Sequence, residues 1–442
     1  MDENTITYFA ETDFRNQHKR FGIYRGDRRY HMALIGKTGM GKSTLMETLM
    51  LSDAEKGEGF ALIDPHGDLA ERMVSRIPES RRQDVIYFDP AEEQHRLGLN
   101  ILETKGVAPH LVVSGVISVF KKIWAPDFWG PRMEHIFRNA LWSLVYTEGT
   151  TLADVPRILL DRVFRREVLK NVPEGPIQDF WSKEFERYNP IFREEALSPI
   201  LNKVGQFLTH PLLRDVLTNT ERAFNLRQIM DEGKIFIANL GKGRLGEDAS
   251  MLLGSLLVTR FELAALGRAE LPEEQRRDFY LYIDEFPTVV PVSFASVLPE
   301  SRKYRLNLIL AMQHIDQLEH PLRDAVFENV GTLVSFRVGP ESAEYLAREF
   351  QPEIGELDLV SLPRYQIYLR LMVNGVPSRA FSGRTLSVGE TIRPLGMDLE
   401  SNAAQPQGQQ SGRRSERDLH TQGKPTTLPT PILRRPRQTP SA

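Results

Sequence analysis

A glycine-rich segment near the N-terminus constrains the fold of this chain more than any other feature. The segment reads Gly36-Lys37-Thr38-Gly39-Met40-Gly41-Lys42-Ser43. It satisfies the pattern G-x-x-x-x-G-K-[ST] of a P-loop, whose glycines let backbone amides turn toward phosphate oxygens. An apolar run at 32–36, typical of a buried strand, precedes it, and a helical stretch at 43–56 follows it. The amides therefore lie at the positive end of a helix, and the sequence predicts a nucleotide site.

The P-loop pattern assigns a role to two of its side chains. Lys42 is expected to reach the β- and γ-phosphates, and the Ser43 hydroxyl is expected to bind Mg²⁺. The predicted cofactors are therefore ATP and Mg²⁺. Nine consecutive residues are predicted to bind the nucleotide: Gly36, Lys37, Thr38, Gly39, Met40, Gly41, Lys42, Ser43 and Thr44.

A second apolar run, at 279–283, ends in two acidic residues, Asp284 and Glu285. Asp284 is expected to hold the Mg²⁺ through water, and Glu285 to polarise the attacking water as a general base. A strand that ends in two acids is common, so this signal is weak by itself. Beside a P-loop it predicts hydrolysis rather than phosphoryl transfer to a small molecule.

A third apolar run, 306–311, leads to Gln313 and His314. A glutamine at a strand end beside a γ-phosphate could sense hydrolysis and orient water; the alternative is a polar residue that merely closes the strand. For His314 the sequence favours a structural role.

A basic turn at 301–305 precedes the third apolar run. An arginine supplied by a neighbouring subunit often accelerates phosphoryl transfer by stabilising the charge of the transition state. Arg302 is the first candidate for that role. Arg305, Arg323 and Arg337 are the other candidates, and a solvated basic turn is the alternative.

A further segment, Asp64-Pro65-His66-Gly67-Asp68, follows the strand-like run 59–64. Ligands gather at the carboxyl ends of parallel strands, so this segment is predicted to lie near the nucleotide or the DNA path, with a bare turn as the alternative. It offers too few acceptors for a metal site.

Strand-like and helical stretches alternate over most of the chain, which predicts an α/β fold with a mainly parallel sheet flanked by helices. A block with helical periodicity interrupts them and contains all four tryptophans, which are expected to be core residues. We therefore predict four regions: 1–103 and 223–397 as the two halves of the core, 104–222 as an inserted all-helical domain, and 398–442 as a basic tail.

Composition excludes several classes of site and locates the charge. There is no cysteine, so disulfides and thiolate chemistry are excluded. The net charge of −3 conceals a basic C-terminal end, because residues 401–442 hold seven Lys and Arg against two acidic residues. That end lacks aromatic residues and is rich in Gln, Pro and Ser, so we expect it to be disordered. It could be a solvated tail or an electrostatic tether for DNA or a partner.

With these residues assembled, the chain resembles the HerA/FtsK superfamily of P-loop ATPases, and within it the type IV secretion coupling proteins of the TraG/TraD kind. The resemblance extends over roughly residues 6–385. The matching stretches are 29–36 leading into the P-loop, 62–69, 202–207, 239–243, 280–313 and 336–339.

The resemblance implies a RecA-like core interrupted by an all-helical domain, a homo-hexamer with ATP at subunit junctions, and DNA in the central pore. It implies that Gln313 is the third ATPase motif and that Arg302 acts across the junction. Relaxase-like or secretion-channel proteins are the further partners that it implies.

The chain departs from membrane-anchored members in having about 30 mostly polar residues before the P-loop. We therefore expect a soluble form that lacks the membrane anchor, cytoplasmic or peripheral to the inner membrane through a partner. A second departure is the pair Pro287 and Pro291 just after Glu285.

The leading hypothesis is an ATP-hydrolysing ring motor that translocates DNA. Lys242 and Arg244 are candidates for pore-loop contacts with phosphates, or else part of a flexible surface turn. One alternative is the same ring acting on protein substrates. Another is an ATP-switched, substrate-recruiting protein that does not translocate DNA.

Overall fold

One large mixed sheet organises the molecule. The computed structural model describes residues 2–13, 18–124 and 129–391, so the predicted tail 398–442 lies outside the described residues. The strands are β1 Ile6–Glu11, β2 Arg20–Tyr24, β3 Met32–Ile35, β4 Gly59–Asp64, β5 Val85–Phe88, β6 Ile235–Asn239, β7 Phe279–Ile283, β8 Leu306–Met312, β9 Thr332–Ser335, β10 Gln366–Arg370, β11 Met372–Val373, β12 Val376–Pro377 and β13 Phe381–Thr385.

The sheet has a parallel part and an antiparallel part. Its strand order is β2-β1-β13-β10-β9-β3-β8-β7-β4-β6-β5, and β11 pairs with β12 in a separate hairpin. The strands from β9 to β5 in this order are parallel, whereas β2, β1, β13 and β10 are antiparallel. Every residue of β3, β4, β6, β7 and β8 is buried, as expected for parallel strands covered on both faces.

Helices cover both faces of the parallel part. The α-helices of the described residues are Lys42–Glu55, Asp68–Arg76, Pro109–Ile123, Pro131–Val145, Asp154–Leu160, Arg162–Leu169, Pro176–Asp179, Pro190–Thr209, Pro211–Thr218, Leu226–Glu232, Lys242–Leu245, Glu247–Leu266, Phe286–Val289, Leu298–Ser301, His320–Asn329, Pro340–Phe350, Glu356–Ser361 and Val388–Thr391. The α/β fold with a mainly parallel sheet is therefore confirmed. The antiparallel strands β1, β2, β10 and β13 were not predicted.

The helices from Pro109–Ile123 to Pro211–Thr218 lie in the chain between β5 and β6, within the block predicted to be helical. We refer to residues 109–218 as the helical segment. Its first helix packs on Glu247–Leu266, and the two share one continuous hydrophobic core with the sheet. Among the tryptophans, Trp124 and Trp181 are buried, and Trp129 and Trp142 are partly buried against the same core. That the segment is an independent domain stays a prediction.

One stretch in the described residues, Glu247–Glu270, is long and apolar enough to cross a membrane. Buried positions make up 78% of its apolar window. Its apolar composition is accounted for by its place in the core, between the sheet and helix Pro109–Ile123.

Candidate nucleotide site

The carboxyl ends of four parallel strands surround a single cleft of about 330 Å³. Strand β8 lies between β3 and β7, and β4 lies on the other side of β7. The order brings the residues that follow each of these strands to one edge of the sheet. The cleft is lined by Thr38, Gly39, Gly41, Lys42, Ser43, Thr44, Asp64, His66, Asp68, Leu69, Arg72, Asp284, Glu285, Gln313 and Arg364.

Three residues of the predicted nucleotide set do not line the cleft. Gly36 lies behind it, where an added Cβ would approach the Phe336 Cβ to 2.6 Å. The Lys37 amide donates to the Arg337 carbonyl at 2.8 Å, and its side chain is exposed. Met40 accepts a hydrogen bond from the Tyr365 amide at 3.0 Å. These residues shape the P-loop from outside, and the other six face the cleft.

The backbone of the P-loop needs glycine at Gly41. Its φ is 126°, a value that L side chains rarely adopt, and an added Cβ would lie 2.9 Å from the Tyr365 ring. Both the conformation and the packing at Gly41 therefore disfavour any side chain at this position.

Lys42 is buried and faces the P-loop carbonyls. Its Nζ donates to the Gly36 carbonyl oxygen and to the Lys37 carbonyl oxygen, the latter at 3.3 Å. Burial lowers the pKa of Lys42, while the charges of Asp284 and Glu285 oppose that shift. The Lys42 ammonium is thus bound to neutral carbonyl oxygens, which phosphate oxygens could replace as acceptors.

Ser43 and Asp284 meet across the cleft, as the sequence predicts for metal ligands. The Ser43 Oγ lies 3.5 Å from Asp284 Oδ2. Burial and the nearby charge of Asp64 raise the pKa of Asp284 to about 6. The described residues contain no group of three His, Cys, Asp or Glu suited to a metal. A hydroxyl and one carboxylate suit Mg²⁺, which takes its remaining ligands from phosphates and water.

A chain of hydrogen bonds joins Glu285 to the P-loop. Gln313 Nε2 donates to Glu285 Oε2 at 2.9 Å, and Thr38 Oγ1 donates to Gln313 Oε1 at 2.8 Å. His66 Nε2 lies 3.9 Å from the same Glu285 oxygen, an electrostatic contact rather than a hydrogen bond. Burial alone would raise the pKa of Glu285, but His66, Gln313 and Lys42 together hold it below its usual value.

The segment after β4 is folded around Asp64. Its carboxylate accepts hydrogen bonds from the amides of His66, Leu69 and Ala70, each at 2.9 Å. Asp64 therefore caps helix Asp68–Arg76 and fixes the loop that carries His66. Of the two sequence-based interpretations of this segment, the structure favours proximity to the nucleotide site.

The candidate arginines do not line the cleft of their own chain. Arg302 precedes β8 and is separated from Gln313 by the length of that strand, roughly 20 Å. Its guanidinium stacks on the Tyr30 ring at 3.6 Å and donates to the Tyr30 hydroxyl at 2.7 Å. Arg302 therefore does not reach the nucleotide cleft of its own chain.

The three other candidates lie elsewhere. Arg305 pairs with Glu273 at 3.1 Å, Arg323 contacts His320 at 2.6 Å, and Arg337 lies partly buried beside the P-loop. His314 does not line the cleft either.

Sequence reasoning missed Arg364, which lines the cleft from the turn before β10. The turn is tied to the P-loop by the Tyr365 amide and is fixed by the left-handed φ of 68° at Tyr365. Because the sequence signal is only a Pro-Arg pair before a short strand, no local pattern identifies it.

The two pore-loop candidates differ in their surroundings. Arg244 Nη2 pairs with Asp89 Oδ2 at 2.6 Å, and Glu92 and Glu71 lie nearby. Lys242 is exposed. Both residues belong to the short helix Lys242–Leu245 rather than to an irregular turn.

Comparison with known proteins assigns the family. The family model for the type IV secretion-system coupling protein DNA-binding domain matches residues 21–362. The chain belongs to this family. Among curated proteins it is 23% identical over 346 residues to the type 4 coupling protein DotL of Legionella pneumophila, covering 68% of this chain and 43% of DotL. This member therefore spans less than half the length of that relative.

Solved structures show the same fold. The plasmid coupling protein TrwB in complex with ADP and Mg²⁺ is 16% identical, with a TM-score of 0.59 over 87% of this chain and 95% of TrwB. VirB4 of Thermoanaerobacter pseudethanolicus is 12% identical, with a TM-score of 0.57 over 88% of this chain and 98% of VirB4. The coupling-protein family member described here thus has a RecA-like NTPase fold.

Proposed function

We propose that this coupling-protein family member hydrolyses ATP with Mg²⁺ in a hexameric ring and uses the energy to move DNA. The observation that carries the hydrolysis is the convergence of Lys42, Ser43, Asp284, Glu285 and Gln313 on one cleft. The family model, which describes a DNA-binding domain, supports DNA as the substrate. Solved TrwB complexes with ADP and Mg²⁺ and with an ATP analogue support the choice of cofactors.

Binding would begin at the P-loop. Lys42 would turn from the Gly36 and Lys37 carbonyls to the β- and γ-phosphates, and the loop amides would surround the phosphate oxygens. Ser43 and Asp284 would hold Mg²⁺, which supplies positive charge to the phosphates as the bond breaks.

Glu285 would act on the attacking water. Its pKa is held below the usual value, so the carboxylate is ionised at neutral pH and can accept a proton. Gln313 holds the Glu285 carboxylate through one amide atom and contacts Thr38 of the P-loop through the other. Gln313 would thereby couple the state of the phosphates to the position of the base.

A neighbouring subunit would complete the site. Arg302 does not line its own cleft, and in a ring its exposed guanidinium would approach the phosphates of the adjacent subunit. Relaxase-like or secretion-channel proteins are the further partners that we propose for the ring. A cytoplasmic location, with attachment to the membrane through a partner, stays a prediction.

The decisive experiment measures steady-state ATPase rates with and without single- and double-stranded DNA. Lys42→Ala is the blank, and Glu285→Gln is expected to bind ATP but to hydrolyse it at least about a hundredfold more slowly. Strong stimulation by DNA supports the motor. A low rate unchanged by DNA, with ATP-dependent partner binding, favours the ATP-switched recruiting protein instead.

The pore-loop assignment has its own variant. Lys242→Ala is expected to reduce the stimulation by DNA and to leave the DNA-free rate unchanged, because Lys242 is an exposed cation without a role in the cleft. The DNA-free rate is the internal control. If stimulation is unaltered, Lys242 does not contact DNA.

A further inference from the structure

Lys122, in the last turn of helix Pro109–Ile123, reaches out of the helical segment to the chain that follows Glu285. Its Nζ donates to three backbone carbonyls: Pro287 at 3.2 Å, Thr288 at 3.1 Å and Val290 at 2.5 Å. An ammonium has three donors, so all of them are used here. Burial lowers the pKa of Lys122 to about 8, and the charge of Glu319 opposes that shift.

The carbonyls bound by Lys122 have few other partners. They belong to the short helix Phe286–Val289 and to the residue after it. The last carbonyl groups of a helix have no amide donors within the helix. A cation is also favourable at a helix C-terminus because the carbonyl dipoles point toward it. Lys122 therefore fixes the position of this turn through its backbone, whatever side chains the turn carries.

The turn carries Glu285 in a strained conformation. Glu285 has a φ of 50°, in the left-handed region that non-glycine residues rarely occupy. Its own carbonyl accepts hydrogen bonds from the Thr288 amide at 3.0 Å and the Thr288 hydroxyl at 2.8 Å. A strained residue persists only when its surroundings hold it, so the position of Glu285 depends on the turn.

Two helices contact the turn and the residues that follow it. Val289 packs against Gly254 of helix Glu247–Leu266, where an added Cβ would lie 2.5 Å from Val289 Cγ1. The face of helix Pro109–Ile123 that carries Lys122 also carries Ser118, one turn earlier. The Ser118 and Ser293 hydroxyl oxygens are 2.5 Å apart.

We infer that Lys122 is a positioning residue for Glu285 and that it links the helical segment mechanically to ATP hydrolysis. The inference rests on the proposed role of Glu285 as the base. If the turn shifts, the Glu285 carboxylate loses its alignment with Gln313 while the P-loop keeps its own contacts. Loss of Lys122 should therefore slow turnover without weakening nucleotide binding.

The test compares Lys122→Met with Lys122→Arg and with Lys121→Met. The Lys121 side chain is 59% exposed and lies 3.4 Å from Glu134, so it is a matched control on the same helix. Lys122→Met is expected to lower kcat about tenfold or more, because small misplacements of a reacting group are costly, and to leave KM and the Kd for ATP within about twofold. Lys122→Arg should recover part of kcat, and Lys121→Met should match the parent.

A cross-link separates positioning from a general loss of stability. The chain has no cysteine, so Ser118→Cys and Ser293→Cys introduce the sole thiol pair where two side-chain oxygens are 2.5 Å apart. Combined with Lys122→Met, the oxidised pair should restore kcat relative to the reduced form. If oxidation restores nothing, or if Lys122→Met turns over at the parental rate, the inference is overturned.

Failure of the inference and failure of the proposed function give different results. If Glu285→Gln abolishes turnover but Lys122→Met does not lower it, the positioning role alone is wrong. If Glu285→Gln turns over at the parental rate, the assignment of the base is wrong and the inference falls with it.

Discussion

Gln313 Nε2 donates a hydrogen bond of 2.9 Å to Glu285 Oε2, although the two residues belong to different strand ends. Strands β7 and β8 are neighbours in the sheet, so their carboxyl ends bring the amide and the carboxylate together. The same Gln313 side chain accepts from Thr38 of the P-loop. The contact makes Gln313 the residue through which phosphates on the P-loop and the Glu285 carboxylate can influence each other.

We expect Gln313→Ala to lower kcat by about tenfold to a hundredfold, because the base loses the group that orients it. The Kd for ATP should change little, since the hydrogen bond of the Gln313 side chain to the P-loop is made to the Thr38 hydroxyl and not to a phosphate-binding amide. Single-turnover hydrolysis and equilibrium binding of a fluorescent ATP analogue measure the two effects. His314→Ala is the control. A parental single-turnover rate in Gln313→Ala would contradict the assignment.

Arg364→Ala is expected to weaken ATP binding about tenfold, or about 1.4 kcal/mol. Among the described residues Arg364 has no carboxylate partner, whereas Arg72 in the same cleft pairs with Glu47 at 3.4 Å. Four carboxylates line the cleft together with Lys42, Arg72 and Arg364, so the Arg364 guanidinium would offset part of the negative charge and favour a phosphate ligand. Arg379→Ala, whose side chain is 93% exposed, serves as the control. Equal affinity of Arg364→Ala and the parent would show that Arg364 only borders the cleft.

A buried ion pair should stabilise the end of helix Lys42–Glu55 that lies away from the P-loop. Arg28 pairs with Asp53 of helix Lys42–Glu55, and both contact the Tyr282 hydroxyl of β7. Arg28 is 2% exposed and Asp53 is fully buried. Asp53→Asn would leave the Arg28 charge buried without a counter-charge, so we expect a loss of about 3–5 kcal/mol in the free energy of unfolding.

Urea unfolding followed by circular dichroism measures this loss. The matched control is Lys170→Ala, which removes an exposed pair with Glu167 and should cost less than about 1 kcal/mol. A similar loss for both variants would mean that the buried pair has no special role.

His31 should make the fold sensitive to acid. The His31 side chain is 2% exposed, and its Nε2 faces the Leu298 carbonyl at 3.1 Å. Its Nδ1 accepts a hydrogen bond from the Leu308 amide at 3.1 Å, so this nitrogen carries no proton and the ring is neutral. Burial lowers its pKa from 6.5 to about 4. The folded state therefore binds fewer protons than the unfolded state between these values, so stability is lost as pH falls from 6.5 to 4.

Over this whole pH range, the titration of His31 lowers the free energy of unfolding by about 3 kcal/mol. The melting temperature should fall more between pH 7 and pH 5 in the parent than in His31→Gln, whose side chain at position 31 cannot titrate. His110→Gln, at an exposed position, should follow the parent. Identical pH dependence in the parent and His31→Gln would contradict the prediction.

The P-loop, the acidic pair and the parallel strands could be predicted because each is a local pattern. Gly41 is required by its own φ, and a continuous apolar run such as 279–283 is required by burial on both faces. The antiparallel strands escaped prediction because they are only partly buried and so lack a continuous apolar run. Strand β10, for instance, alternates between buried and partly exposed residues over five positions.

The sequence by itself determined which residues can bind phosphate and metal, because the backbone freedom of glycine and the chemistry of Lys42, Ser43 and Asp284 belong to the residues themselves. Only the tertiary structure decided which residues meet. Three contacts join segments that are distant in the chain. Strand β1 pairs with β13, Arg364 lines the cleft beside the P-loop, and Lys122 binds the carbonyls of the turn after Glu285. The physical reason is that strand order and helix packing, set by the burial of the whole core, determine these contacts, and no local pattern encodes them.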